Sequence, residues 1–135
     1  MITQQENQPS STRIYPLSNN LKHCAHIGDA VWELYVREII IDYTQSQKEM
    51  HRLSVKFVKA AAQAQFMREL ETHLTETELE LAKRARNLPL GVSKKSDPAI
   101  HSAATAFEAL IGHLHLNDKL RLQEILGILK SNNMP

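Results

Sequence analysis

The chain has 135 residues, 42% of them hydrophobic, with 16 Lys and Arg against 15 Asp and Glu for a formal net charge of +1. That length fits one domain with a real core, and the balanced charge excludes a chain-wide polycation, leaving only a local patch to grip nucleic acid. A single cysteine, Cys24, excludes an internal disulfide and a thiolate zinc site, and no apolar run reaches the roughly 18–20 residues that cross a bilayer. The expectation is a small intracellular domain in a reducing compartment.

Thirteen of the first twenty residues are Asn, Gln, Ser, Thr or Pro. Such a stretch buries too little apolar surface to offset its ordering entropy, so residues 1–17 read as a flexible tail and 18–131 as the domain. Ser18 or Asn19 caps a first helix that runs to about Asp42. On it Cys24, Ile27, Val31, Leu34, Tyr35 and Ile39 gather on one apolar arc, broader than a single packed face needs. Asp29 falls at the edge of that arc, with Glu33 one turn further on. Lys48 to about Leu70 reads as one long helix or two kinked ones, with Met50, Leu53, Phe57, Phe66, Met67 and Leu70 as core. Thr75-Glu76-Thr77-Glu78 is a capping box that opens a helix to about Asn87. Residues 88–97, with Pro89 and Gly91, read as a loop. Asp97-Pro98 starts a helix to Leu116, with Asp as cap and Pro in the first turn. Asn117-Asp118 then turns the chain into a last helix ending near Lys130. No segment alternates as a strand would, so the fold class is all-α.

Two constellations could carry chemistry. In Ile27-Gly28-Asp29 the glycine costs roughly 1 kcal/mol relative to alanine inside a helix, which makes it a mark of close packing. In Phe107-Glu108-Ala109-Leu110-Ile111-Gly112 the apolar arc is Phe107, Leu110, Ile111 and Leu114, and Glu108 borders it as Asp29 borders its own. Two such carboxylates on packed helices can meet around one divalent ion, and hard oxygen ligands favour Mg²⁺ or Mn²⁺. The alternative is that both are ordinary solvated charges. A histidine zinc site built on His23 and His26 is a weaker pattern. His101, Glu108 and His115 share a wheel direction, but neighbours lie about 10 Å apart along the axis. Residues 81–95 hold Lys83, Arg84, Arg86, Lys94 and Lys95 and no acid.

These segments also carry a resemblance. His26-Ile27-Gly28-Asp29-Ala30-Val31-Trp32-Glu33-Leu34-Tyr35-Val36-Arg37 resembles mini-ribonuclease III, which has the ribonuclease III catalytic domain without a double-stranded-RNA-binding domain. So do Leu53-Ser54-Val55-Lys56-Phe57-Val58, Ala62-Gln63-Ala64, Arg84-Ala85-Arg86-Asn87 and Phe107-Glu108-Ala109-Leu110-Ile111-Gly112, in order across roughly residues 20–130. The larger relatives use four carboxylates per centre. Two of those positions are Ala25 and Thr105 here, a reduction that itself resembles the mini family.

The resemblance implies a ribonuclease III-type helical endonuclease domain. Asp29 and Glu108 would be the catalytic and Mg²⁺-binding (or Mn²⁺-binding) residues, with Glu33 and Thr105 as outer contacts; the alternative for Glu33 is an ion pair with Arg37. It implies a homodimer cutting double-stranded RNA, one strand per subunit, to leave 5′-phosphate and 3′-hydroxyl ends. The substrate class it implies is precursor large-subunit (23S-type) ribosomal RNA. Lys83, Arg84, Arg86, Lys94, Lys95 and His101 would meet RNA phosphates, and His26, Ile27 and Val31 would lie at the dimer interface. A tail without Arg enrichment favours the cytoplasm over the plastid stroma. The competing class is a non-catalytic RNA-binding or assembly protein on the same fold.

Overall fold

Side-chain caps set most helix boundaries in the computed structural model, which describes residues 17–89 and 97–135. Helix α1 spans Leu17–Tyr43. The Ser46 hydroxyl accepts from the Glu49 amide (3.2 Å) and opens α2, Gln47–Val58. Helix α3, Ala60–Leu70, follows after one extended residue, Lys59, and runs into a 3₁₀ turn at Glu71–His73. The capping box before α4, Glu76–Arg86, is complete: Thr75 Oγ1 accepts from the Glu78 amide at 3.2 Å and Glu78 Oε1 from the Thr75 amide at 2.9 Å. Asp97 caps α5, Pro98–Asn117, with Pro98 in its first turn. Asp118 caps α6, Lys119–Asn133, which continues three residues past the expected Lys130 end. Among the described residues there is no strand. Of the expected tail, residues 1–16 lie outside the described residues, as does most of the expected loop, while Leu17, placed in the tail, already belongs to α1.

Helix α5 is the axle. It buries Ala104, Thr105, Ala106, Phe107, Ala109, Leu110, Ile111, Gly112 and Leu114, as a helix apolar nearly all round must. Helices α1, α3, α4 and α6 all pack against it. Trp32 of α1 meets Phe107 edge-on at 5.1 Å and Phe66 of α3 at 5.4 Å between ring centroids. Such pairs contribute about 0.5–1.5 kcal/mol each beyond area burial. The fully buried Trp32 indole also donates to the Phe57 carbonyl at 2.9 Å. Where α2 breaks at Lys59, that carbonyl near the helix end therefore has a partner in place of a continued helix.

The broad arc of α1 divides. Cys24 lies in the core, but the residues buried beside it are Leu21, Trp32, Val36 and Ile40, whereas Ile27 is 36% and Leu34 60% exposed. The core-facing side is rotated away from the expected arc because a glycine contact with α5 fixes which face approaches. Against α6, Arg121 forks onto Glu78 with two bonds of 2.9 Å, reaches the His73 carbonyl at 2.8 Å, and pairs with Glu124 at 3.0 Å. Burial pushes the Glu78 carboxyl up, but these bonds and that from Thr75 outweigh it and hold it below its ordinary value.

Candidate metal centre

The centre is made by two glycines. A Cβ added at Gly28 would stand 1.7 Å from the Glu108 carbonyl oxygen and 2.8 Å from the Gly112 nitrogen. One added at Gly112 would stand 1.8 Å from the Cys24 carbonyl oxygen. Helices α1 and α5 thus cross backbone to backbone, closer than any side chain permits. Asp29 follows Gly28 directly, and Glu108 lies one turn before Gly112. Contact between the two backbones places these carboxylates side by side.

Their proximity shows in the electrostatics. The Glu108 carboxyl is pushed up to about 8, first by burial, then by the hydrogen bond and the negative charge of Asp29 beside it; an amide contact from Gln63 opposes the shift. Two carboxylates in one site cannot both ionise without cost. A divalent cation relieves that repulsion, and carboxylate and amide oxygens are hard donors suited to Mg²⁺ or Mn²⁺. The residues present therefore fit such an ion, with most of its coordination left to solvent and substrate. Among the described residues no three His, Cys, Asp or Glu side chains converge on one point, so neither the fuller acidic set nor a histidine zinc cluster is present there. His23 and His26 are exposed on α1.

The remaining candidates are placed as follows. The Glu33 carboxylate is engaged by Arg37 at 2.6 Å, one turn on. Thr105 is buried one turn before Glu108, and His101 is half-buried two turns before it. Lys83 is exposed on α4; Arg84 lies 3.3 Å from Glu80 and Arg86 2.8 Å from Glu71. Lys94 and Lys95 lie outside the described residues. Gln63 was not singled out from the sequence as a site residue. Its only local signal is an amide in the middle of the apolar face of α3, within the Ala62-Gln63-Ala64 block.

The Ribonuclease III domain matches residues 23–119, a span that includes both carboxylates and both glycines of the crossing. Mini-ribonuclease 3 of Gloeobacter violaceus is 42% identical over 111 residues, covering 82% of each chain. That of Synechocystis is 38% identical over 106 residues, covering 78% of this chain and 74% of its own. A crystal structure of a protein from Fusobacterium nucleatum shares the fold, with a TM-score of 0.73 over 82% of this chain and 91% of that one at 24% identity. With the family match spanning the crossing and identities of 38–42% over about four fifths of the chain, the protein belongs to the ribonuclease III family, in its mini-ribonuclease III group, and is an endoribonuclease.

Proposed function

We propose that this endoribonuclease is divalent-metal-dependent and cuts double-stranded RNA as a homodimer, in the cytoplasm, during maturation of large-subunit (23S-type) ribosomal RNA precursors. The Asp29–Glu108 pair carries this reading: two carboxylates are held together by the Gly28–Gly112 crossing at an electrostatic cost that a cation offsets. Asp29 and Glu108 would hold Mg²⁺, which when bound supplies the positive charge that activates a water and stabilises the phosphate and leaving oxygen. The chain's own work is positional. Asp29 and Glu108 project from a rigid backbone contact, which fixes them relative to a phosphate laid across the crossing. Hydrolysis at the 3′ oxygen leaves 5′-phosphate and 3′-hydroxyl ends.

The dimer is supported by the outward half of α1. Ile27, Leu34 and Ile41, at seven-residue intervals, are 36%, 60% and 59% exposed and form one apolar stripe, the spacing of a helix seam that meets a partner helix. Two centres on a C₂ dimer can cut both strands in one encounter. No helix among the described residues is long and apolar enough to cross a membrane. The ribosomal substrate class rests on the resemblance to mini-ribonuclease III.

The test is Asp29→Asn, which keeps shape and loses the ligand charge. The variant should fold as wild type and lose at least ~10²-fold of Mg²⁺-dependent duplex cleavage. A folded Asp29→Asn protein that cuts at the wild-type rate removes Asp29 from the mechanism and overturns the metal-centre reading.

A further inference from the structure

Helix α2 carries a row of cations that the cutting centre does not use. Lys48, Arg52 and Lys56 recur every four residues, Lys59 follows at the break, and all four are exposed. Four residues are about one helical turn, so the row lines one face of α2 over about 12 Å from Lys48 to Lys56. From Tyr43 to Arg68 the chain has five Lys and Arg against one acid, Glu49, in a protein whose net charge is only +1. Glu49 pairs with Arg52. Among the described residues no ion pair holds Lys48, Lys56 or Lys59, whereas Arg84 and Arg86 are each held by an acid.

The row ends at a groove of about 480 Å³. Lys56, Lys59, Gln65 and Asn132 line it beside the small side chains of Ala61 and Ala62. This end is fixed close to the cutting centre: the Trp32 indole, three residues after Asp29 on α1, donates to the Phe57 carbonyl between Lys56 and Lys59 at 2.9 Å. On the other side of α2, Met50, His51 and Ser54 border α1 in a groove shared with Arg37 and Ile41. A dimer formed along the apolar stripe of α1 therefore leaves the cations open.

We propose that this face of α2, with the groove at its end, is a track for the phosphate backbone and carries duplex RNA away from the cutting centre. Evenly spaced cations suit a row of phosphates rather than one small ligand. Ammonium groups on flexible stems follow a backbone without reading its bases. RNA fits better than an acidic protein because the track begins beside the centre of an endoribonuclease. The inference rests on the duplex-RNA reading above.

The experiment uses full-length protein and an RNA duplex of two helical turns, held in chelator so that it is not cut. Binding is read by fluorescence anisotropy over a series of KCl concentrations. Lys48→Gln/Lys56→Gln/Lys59→Gln should melt as wild type, bind at least ~10-fold more weakly and lose about two to three units of salt slope. Lys56→Gln alone should lose about one unit. With Mg²⁺ the KM of the triple variant should rise in step while kcat stays within about twofold, because the track touches no reacting atom. Lys48→Arg/Lys56→Arg/Lys59→Arg should keep wild-type affinity. Glu49→Gln, which releases Arg52, should bind more tightly, with a slope steeper by about one unit. Lys119→Gln/Lys130→Gln removes exposed cations elsewhere and should change little. Unchanged affinity and slope in the glutamine triple, with wild type still binding duplex, overturn the track alone, as does an equal loss in the Lys119 and Lys130 control. A triple variant that keeps RNA but loses binding to polyglutamate assigns the face to an acidic protein and overturns the proposal. Wild type that prefers single strands to duplex overturns the duplex reading and the track with it.

Discussion

Replacing Gly28 with alanine tests the centre at its geometric origin. The new Cβ would sit 1.7 Å from the Glu108 carbonyl oxygen, about half the ~3.5 Å at which such atoms rest. The neighbour is helix backbone and cannot rotate away. The α1 and α5 axes must therefore part by roughly 2 Å at the crossing, against a core in which Trp32 and Phe107 are fully buried on either side. Overpacking by one methyl in a tight core costs typically about 1–3 kcal/mol, and a backbone-to-backbone clash belongs at or beyond the upper end. For a domain of this size about 3 kcal/mol is a fall of roughly 10–15 °C in Tm. Separation also moves Asp29 from Glu108, and a misplacement of about 1 Å can cost ~10²-fold in rate. Urea and thermal unfolding at one fixed protein concentration, with duplex cleavage at a temperature where the variant is folded, measure both effects. Gly127→Ala is the control: a Cβ there meets nothing within 4 Å, so alanine should stabilise α6 by about 0.5–1 kcal/mol and leave cleavage unchanged. If Gly28→Ala melts within about 3 °C of wild type and cuts at a comparable rate, the crossing does not set the site.

Three further outcomes follow from the same geometry. Because the folded Glu108 value, about 8, lies above its ordinary 4.5, its contribution to stability is full below pH 4.5 and is lost as pH rises through about 8; discounted for partial exposure this is about 1–3 kcal/mol. Melts in chelator at pH 5 and 8.5 should show the loss in wild type, with Mg²⁺ restoring it at the higher pH, and an equal loss in Glu108→Gln would exclude this carboxyl as the source. Ile27→Asp should leave a folded monomer, since Ile27 is already 36% exposed, and raise the dimer dissociation constant at least ~100-fold, because two like charges would face an apolar seam; light scattering that still shows a tight dimer at micromolar concentration places the interface elsewhere. Replacing Arg84, Arg86, Lys94 and Lys95 together with alanine should weaken all duplex RNAs alike and reduce the salt dependence of binding by about one unit of slope for each phosphate that is no longer neutralised; an unchanged slope means that this segment does not face RNA.

What could be read without a fold was what one helical turn contains. The Thr75–Glu78 capping box, the Asp97–Pro98 start and the Asp118 turn are interactions among residues three or fewer apart, so residue type at fixed spacing was enough. The apolar arc of Phe107, Leu110, Ile111 and Leu114 was legible from its spacing for the same reason, and Asp29 and Glu108 were marked by the glycines and the family motifs around them. Tertiary packing decided the rest. Periodicity along α1 identifies apolar directions but cannot tell a face that meets the core from one left for a partner; the contact of Gly28 with α5 turned Leu21, Trp32, Val36 and Ile40 inward and left Ile27 and Leu34 outside. Whether Lys48 to Leu70 was one helix or two depended on the Trp32 indole, which supplies a partner for the Phe57 carbonyl beside the break at Lys59. Gln63 entered the sequence reading only within the Ala62-Gln63-Ala64 block, because Glu108, whose carboxyl it influences, lies on a helix that neither local propensity nor periodicity brings near it. Only the packing of α3 along α5 puts the two together, and hydrogen bonds between distant segments exist only once the core has closed around them.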